Sequence, residues 1–234
     1  MSRVLAIIPA RGGSKRIPGK NIKPFFGKPM IEYAISNCMK VKGFAEVMVS
    51  TDDEKIKEIA LKAGAKVPFL RSPENSNDFA GTIEVIREVI RSYEQMGEKF
   101  SHFCCLYPAT PLLSSQFLQE GLNQIQKRDS DFLVSINEFG YPVQRAMMIQ
   151  DGNLQMMWPE NYKKRSQDLP RSFHDAGQFY FGKTESVFKF SGLFEGKLDY
   201  VEIPREFSQD IDNLSDWVLA EQKFQLMKSA GKLS

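Results

Sequence analysis

Apolar residues occur along this chain in short bursts whose period changes from one burst to the next. Val4–Ile8 is a continuous apolar run, the pattern of a strand covered on both faces. Met30–Met39 follows as a helix and Glu46–Ser50 as a strand. Asp53–Ala63 reads as a helix that starts behind the capping groups of Ser50-Thr51-Asp52-Asp53 and stops at Gly64. Val67–Leu70 reads as a further short strand. Ile83, Ile86, Ile90 and Tyr93 recur at helical spacing. Two strands, His102–Tyr107 and Phe132–Ile136, bracket a helical Phe117–Ile125. The chain ends in Leu214–Met227, read as an amphipathic helix carrying Trp217 and Phe224. This alternation predicts an α/β fold built on a doubly wound, mostly parallel sheet. Ligands of such sheets bind outside the carboxyl ends of the strands. The segments after Pro9, Leu70 and Tyr107 are therefore expected on that rim.

The pattern breaks between Glu138 and Pro170. Met147-Met148-Ile149 and Leu154-Gln155-Met156-Met157-Trp158 flank Asp151-Gly152-Asn153, a hairpin turn signature. Methionines and a tryptophan on so small a hairpin predict an arm, residues 138–170, that packs on a second subunit and makes a homodimer. The alternative is a hairpin folded on its own sheet. Residues 1–234 are otherwise expected to form one domain.

Composition narrows the classes. Hydrophobic content of 42% and charged content of 26% fit a soluble globular protein. The formal net charge of +2 gives no global attraction to nucleic acid or membrane. Three cysteines, two of them the adjacent Cys104 and Cys105, make neither a disulfide framework nor a zinc site. Reduced thiols, and a first apolar run of about six residues cut by Pro9, lead to the expectation of a cytoplasmic protein.

The basic excess is local. Arg11-Gly12-Gly13-Ser14-Lys15-Arg16 and Lys20 follow the first strand, and no acidic residue precedes Glu32. Glycines let backbone N–H groups approach an anion, and the long cations supply charge. The natural ligand is a polyphosphate, although neither the Walker nor the dinucleotide glycine spacing is present. The alternative is a solvated basic loop. RNA binding would call for stacking aromatics, and this loop has only Phe25 and Phe26 at its far end. Asp210 and Asp212 are two residues apart, so in extended chain they project to one side, a hard oxygen pair suited to Mg²⁺. The alternative for Asp212 is a cap on the helix near Leu214, and for Thr82 a cap before Ile83. Arg71 ends a strand, and its alternative is a surface ion pair with Glu74. His174, placed outside any strand, is a candidate general base or a structural histidine. No Ser-His-Asp or Cys-His pattern points to covalent catalysis.

Ile7 through Asn21, followed by Gly27-Lys28-Pro29-Met30-Ile31, resembles the signature of the CMP-sialic acid synthetases, the acylneuraminate cytidylyltransferases. Ser50 to Asp53, Pro68 to Arg71, Asp78 to Thr82 and Gln209 to Asp212 fall in the same order, so the likeness spans nearly the whole chain. Arg165 to Leu169 and His174 to Tyr180 look closest to the branch acting on pseudaminic acid. The resemblance implies CTP and a nine-carbon acidic sugar as substrates, giving a CMP-sugar and pyrophosphate. It implies CTP binding by Arg11, Gly12, Gly13, Ser14, Lys15, Lys20, Asn21, Arg71 and Thr82, with Arg11 and Lys20 catalytic. It further implies Mg²⁺ on Asp210 and Asp212, and dimerisation through the arm. On the sugar side, Tyr107, Arg165, Gln178 and Tyr180 are expected, with Arg171 a second candidate for the sugar carboxylate. A family motif with Gln and Arg at its ends reads here Tyr107-Pro108-Ala109-Thr110-Pro111-Leu112-Leu113, a less polar wall that favours a deoxy sugar. N-acetylneuraminic or legionaminic acid is the alternative substrate, and a non-catalytic nucleotide-binding protein the alternative function.

Overall fold

A computed structural model describes residues 3–77 and 80–233; Asp78, part of the stretch that carries the resemblance, lies outside them. Ten strands occur among the described residues: β1 Val4–Pro9, β2 Pro24–Phe25, β3 Lys28–Pro29, β4 Phe44–Ser50, β5 His102–Leu106, β6 Phe132–Glu138, β7 Met147–Gln150, β8 Asn153–Met156, β9 Phe173–Lys183 and β10 Leu198–Glu202. The helices are α1 Met30–Lys40, α2 Glu54–Lys62, α3 Thr82–Gln95, α4 Ser115–Lys127, α5 Ser186–Lys189 and α6 Leu214–Ser229. Six strands form one sheet in the order β10-β6-β9-β5-β1-β4. All neighbours pair parallel except β9, which runs antiparallel to both β5 and β6.

Side-chain alternation on β1 divides the core. Val4, Ala6 and Ile8 pack with α1, α2 and α4, whereas Leu5 and Ile7 pack with α3 and α5. Both faces of the sheet are covered by helices, as the continuous apolar strands require. A third cluster joins Trp217, Ala220, Phe224 and Met227 of α6 to Phe25, Met30 and Ile17. Ile17, in the middle of the basic loop, is 1% exposed. That one apolar anchor holds the cationic loop down against α6.

Several sequence expectations are corrected. Val67–Leu70 is not a strand; only an isolated bridge, Met48 to Lys66, is made there. Pro68 lacks the N–H that the next ladder step would need. His174 lies inside β9, not outside a strand. Helix α6 buries Trp217 and Phe224 but also exposes Leu214, Val218, Leu219 and Leu226, so it is apolar on more than one side. Asp212 does not cap α6: the Asn213 side chain accepts from Ser215 N at 2.8 Å and Asp216 N at 3.1 Å.

The 138–170 segment contains the expected hairpin, with Asp151 at φ +52° and Gly152 at φ +78°. Two consecutive positive φ values are those of the tight turn that matches strand twist. Among the described residues, β7 and β8 pair only with each other. Met147 faces Met156 and Ile149 faces Leu154 across the pair, so these four share one face. Ile149 is 78% exposed and Leu154 66%. Among the described residues, no helix is long and apolar enough to cross a membrane.

Candidate functional site

Strand β1 ends at Pro9, and the chain turns over the carboxyl rim of the sheet. Gly12 is needed there: a Cβ would sit 2.7 Å from Asp53 Oδ2. Its N–H donates to Asp52 Oδ1 at 2.9 Å, while Asp53 caps α2 through Lys55 N and Ile56 N. Capping therefore explains Asp53, and Asp52 ties the loop to the sheet. Asn21 is buried and its Nδ2 donates to Arg11 O at 3.0 Å. Its Oδ1 is buried with no partner.

The loop walls a cleft of about 440 Å³ lined by Arg11, Ser14, Lys15, Arg16, Lys20 and Asp212, with Asn21 at its side. Pro9 and Arg11 also line a second cleft of about 200 Å³ that holds Arg71, Thr82 and Tyr107. Arg71 is no surface ion pair. It is 7% exposed, and its Nε donates to Ser50 Oγ at 2.9 Å. Burial lowers its pKa, with Asp52 and Glu88 opposing, but an arginine so shifted is still a cation at neutral pH. Thr82 is the first residue of α3 and does not cap it; Gly81 occupies that position. The Thr82 hydroxyl is instead 2.7 Å from Tyr107 OH.

Antiparallel β9 brings its own first residues to the same rim. His174, Asp175, Ala176 and Gly177 line a third cleft of about 370 Å³ with Arg205, Gln209, Asp210 and Lys223. Lys20 stands at the junction of this cleft with the first. Its Nζ donates to Ile211 O at 2.7 Å, between Asp210 and Asp212. Burial lowers the Lys20 pKa, while Asp212 and Asp210 pull it back up. Partial desolvation, with Asp212 second, pushes the Asp210 carboxyl upward. Asp212 pairs with Arg16 at 2.8 Å. A carboxylate whose ionisation is opposed by burial and by a neighbouring carboxylate is part of a donor set that a Mg²⁺ ion relieves. Among the described residues no group of three or more His, Cys, Asp or Glu is arranged to hold a metal, so such an ion would need phosphate oxygens and water to complete its shell.

The structure separates the expected sugar-side residues. Gln178 is 1% exposed and Tyr180 3%, so both lie behind the cleft wall. Gln178 Nε2 donates to Ala176 O at 3.0 Å, and Tyr180 OH donates to Asp175 Oδ2 at 2.6 Å. Arg165 is outside all three clefts: its Nε pairs with Asp168 Oδ2 at 2.8 Å. Arg171 is held by Glu138 at 2.8 Å and Glu202 at 2.5 Å. The cations that do line the third cleft, Arg205 and Lys223, were not among the sequence candidates. Neither was Asp175; its only sequence signal was membership of the His174–Tyr180 stretch. The Tyr107–Leu113 wall is also divided. Tyr107 and Pro108 reach the clefts, whereas Leu113 is 2% exposed and packs in the α1–α4 core. His174 Nδ1 lies 2.8 Å from Asp175 O, and its ring packs against Phe139 at 4.9 Å.

Residues 5–213 match the family model described as "Cytidylyltransferase". The chain is 42% identical to the pseudaminic acid cytidylyltransferase of Campylobacter jejuni over 93% of its own length and 94% of that protein. It is 29% identical to the CMP-N,N'-diacetyllegionaminic acid synthase of Legionella pneumophila, covering 97% of this chain and 99% of that one. Its fold resembles that of a CMP:2-keto-3-deoxy-manno-octonic acid synthetase, with a TM-score of 0.72 at 19% identity over 98% of this chain and 100% of the other.

Proposed function

The chain belongs to the cytidylyltransferase family and is a nucleotidyltransferase, and we propose that its reaction is CTP plus pseudaminic acid giving CMP-pseudaminic acid and pyrophosphate. The carrying observation is the junction at Asp210-Ile211-Asp212, where the cationic cleft meets the β9 cleft across Lys20. A triphosphate fits the cationic side and an acidic sugar the other. Cytosine occupies the cleft of Arg71 and Thr82. The sugar's anomeric hydroxyl attacks the α-phosphorus opposite the departing pyrophosphate. Arg11, Lys15 and Lys20 hold the triphosphate and offset charge that moves onto the leaving group. Lys20 is fixed by Ile211 O, so it needs no reorganisation during the step. Asp210 and Asp212 would hold Mg²⁺, which supplies electrostatic neutralisation of the phosphate oxygens. Arg205, free of the ion pairs that engage Arg165 and Arg171, is the better placed cation for the sugar carboxylate.

The apolar face of the β7–β8 hairpin supports a homodimer, because a face of this kind on a small arm is stabilised by burial against a second copy. The reduced, buried cysteines Cys38, Cys104 and Cys105 support a cytoplasmic setting.

The test is a pyrophosphate-release panel of four nucleoside triphosphates against several nonulosonic acids. CTP with pseudaminic acid should exceed CTP with N-acetylneuraminic acid by roughly 10²–10⁴ in kcat/KM, since each unpartnered sugar hydroxyl weakens binding. Equal or better use of N-acetylneuraminic acid would overturn the sugar assignment and leave the nucleotide one standing. The alternative sugars, N-acetylneuraminic and legionaminic acid, are arms of the same panel.

A further inference from the structure

A string of hydroxyl groups runs behind the wall that separates the base cleft from the sugar cleft. Thr82 Oγ1 and Tyr107 OH are 2.7 Å apart. The Tyr107 and Tyr180 rings meet edge to face with centroids 5.5 Å apart. Tyr180 OH donates to Asp175 Oδ2 at 2.6 Å, and Gly177 N donates to Asp175 Oδ1 at 2.9 Å. Gly177 sits at φ +59°, a conformation that favours glycine and lets its N–H turn back to the carboxylate two residues earlier.

The direction of the Tyr180–Asp175 bond is fixed. A carboxylate only accepts, so the single Tyr180 proton points to Asp175. Burial raises the pKa of both phenols, which keeps these protons in place at neutral pH. Each Asp175 oxygen uses one of its two lone pairs on an internal donor. The remaining lone pairs belong to a side chain that is exposed and lines the sugar cleft with Asp210 and Arg205. A carboxylate locked by one backbone N–H and one buried phenol, yet open on its other side, is a preorganised acceptor.

We propose that Asp175 is the specificity-determining acceptor of the sugar cleft, taking a hydrogen bond from an amide N–H of an N-acylated nonulosonic acid, with Tyr180 as the positioning residue behind it. The inference rests on the sugar assignment above. An amide N–H is a pure donor held in a plane, which suits a carboxylate acceptor fixed in one orientation, whereas the sugar's own carboxylate would be repelled.

The test is steady-state kinetics of Asp175→Asn, Tyr180→Phe and the double variant, with CTP and pseudaminic acid varied in turn. Asp175→Asn is nearly isosteric and should fold; melting curves for all three proteins check this. Its KM for the sugar should rise about 10–100-fold, the cost of a lost charge-assisted bond, with KM for CTP within about twofold of wild type. Tyr180→Phe should raise the sugar KM less. The double variant should be no worse than Asp175→Asn alone, because Tyr180 acts only through Asp175. An unchanged sugar KM in Asp175→Asn, additive losses, or a parallel rise in KM for CTP would each overturn the proposal. Failure of wild type to release pyrophosphate with any nonulosonic acid would sink the parent assignment as well, which separates the two failures.

Discussion

The basic loop, residues 10–21, and the hairpin arm, residues 138–170, depart from ordinary burial in opposite directions. The loop gathers charge over a pinned apolar base. Ile17 is buried, Gly12 is tied to Asp52, Asn21 to Arg11 O and Lys20 to Ile211 O. The arm holds apolar side chains out in solvent, with Ile149 and Leu154 among the most exposed. It is tied to its base by contacts such as Gln144 Nε2 to Pro170 O at 3.0 Å. A fold alone requires neither arrangement. Convergent cations are costly unless an anion joins them, and a bare apolar face is costly unless another surface covers it. On the proposed reading, the loop serves a polyphosphate and the arm a second subunit.

The comparison predicts different failures. Arg11→Ala or Lys20→Ala should lower kcat about 10²–10³-fold, the scale of one lost contact to developing charge, with the melting temperature little changed. Near-normal turnover at saturating CTP and Mg²⁺ would refute the role of the loop. Asp210→Asn and Asp212→Asn should abolish turnover or raise the Mg²⁺ concentration needed for it, read from activity against Mg²⁺. A normal Mg²⁺ profile would leave the pair purely structural. On the arm, Ile149→Lys with Leu154→Lys should convert a dimer to a monomer in light scattering while circular dichroism is retained. Met148 and Met156, by contrast, lie on opposite faces of the hairpin, so charging either one alone tests one face at a time. A wild-type protein that is monomeric at micromolar concentration would end the idea of a shared arm. The smallest effect belongs to Asp53→Ala, which removes the α2 cap and should cost ~1 kcal/mol of stability, seen in denaturant melts. It should change kcat far less than Lys20→Ala does.

The parts of this molecule that were legible in the sequence share a local cause. Strands β1, β4, β5 and β6 show as apolar runs, and the helices between them as 3.6-residue repeats, because each is decided within its own segment. Strand β9 was not read. Phe179-Tyr180-Phe181 carries strand-forming residues, but its place between two parallel strands is set by partners more than forty residues away, as in Leu133 to Phe181. The basic loop was legible through its glycines and lack of acids. The Thr82–Tyr107–Tyr180–Asp175 string was not, because it joins three separated stretches through tertiary packing alone. Asp212 and Asn213 show the limit at single-residue scale: both are good capping residues, and only the backbone decides which of them caps.

The position of β9 separates the order of synthesis from the order of assembly. The neighbours of β6 are β9 and β10, both of which come later in the chain. When β6 leaves a ribosome it therefore has no strand of its own sheet to pair with, and β5 has one edge open. Strands β1, β4 and β5 can join as they emerge, but the remaining half waits for β9 to bridge it. A nascent chain stalled before Phe173 exposes unpaired strand edges of the kind that chaperones shield and that aggregation recruits.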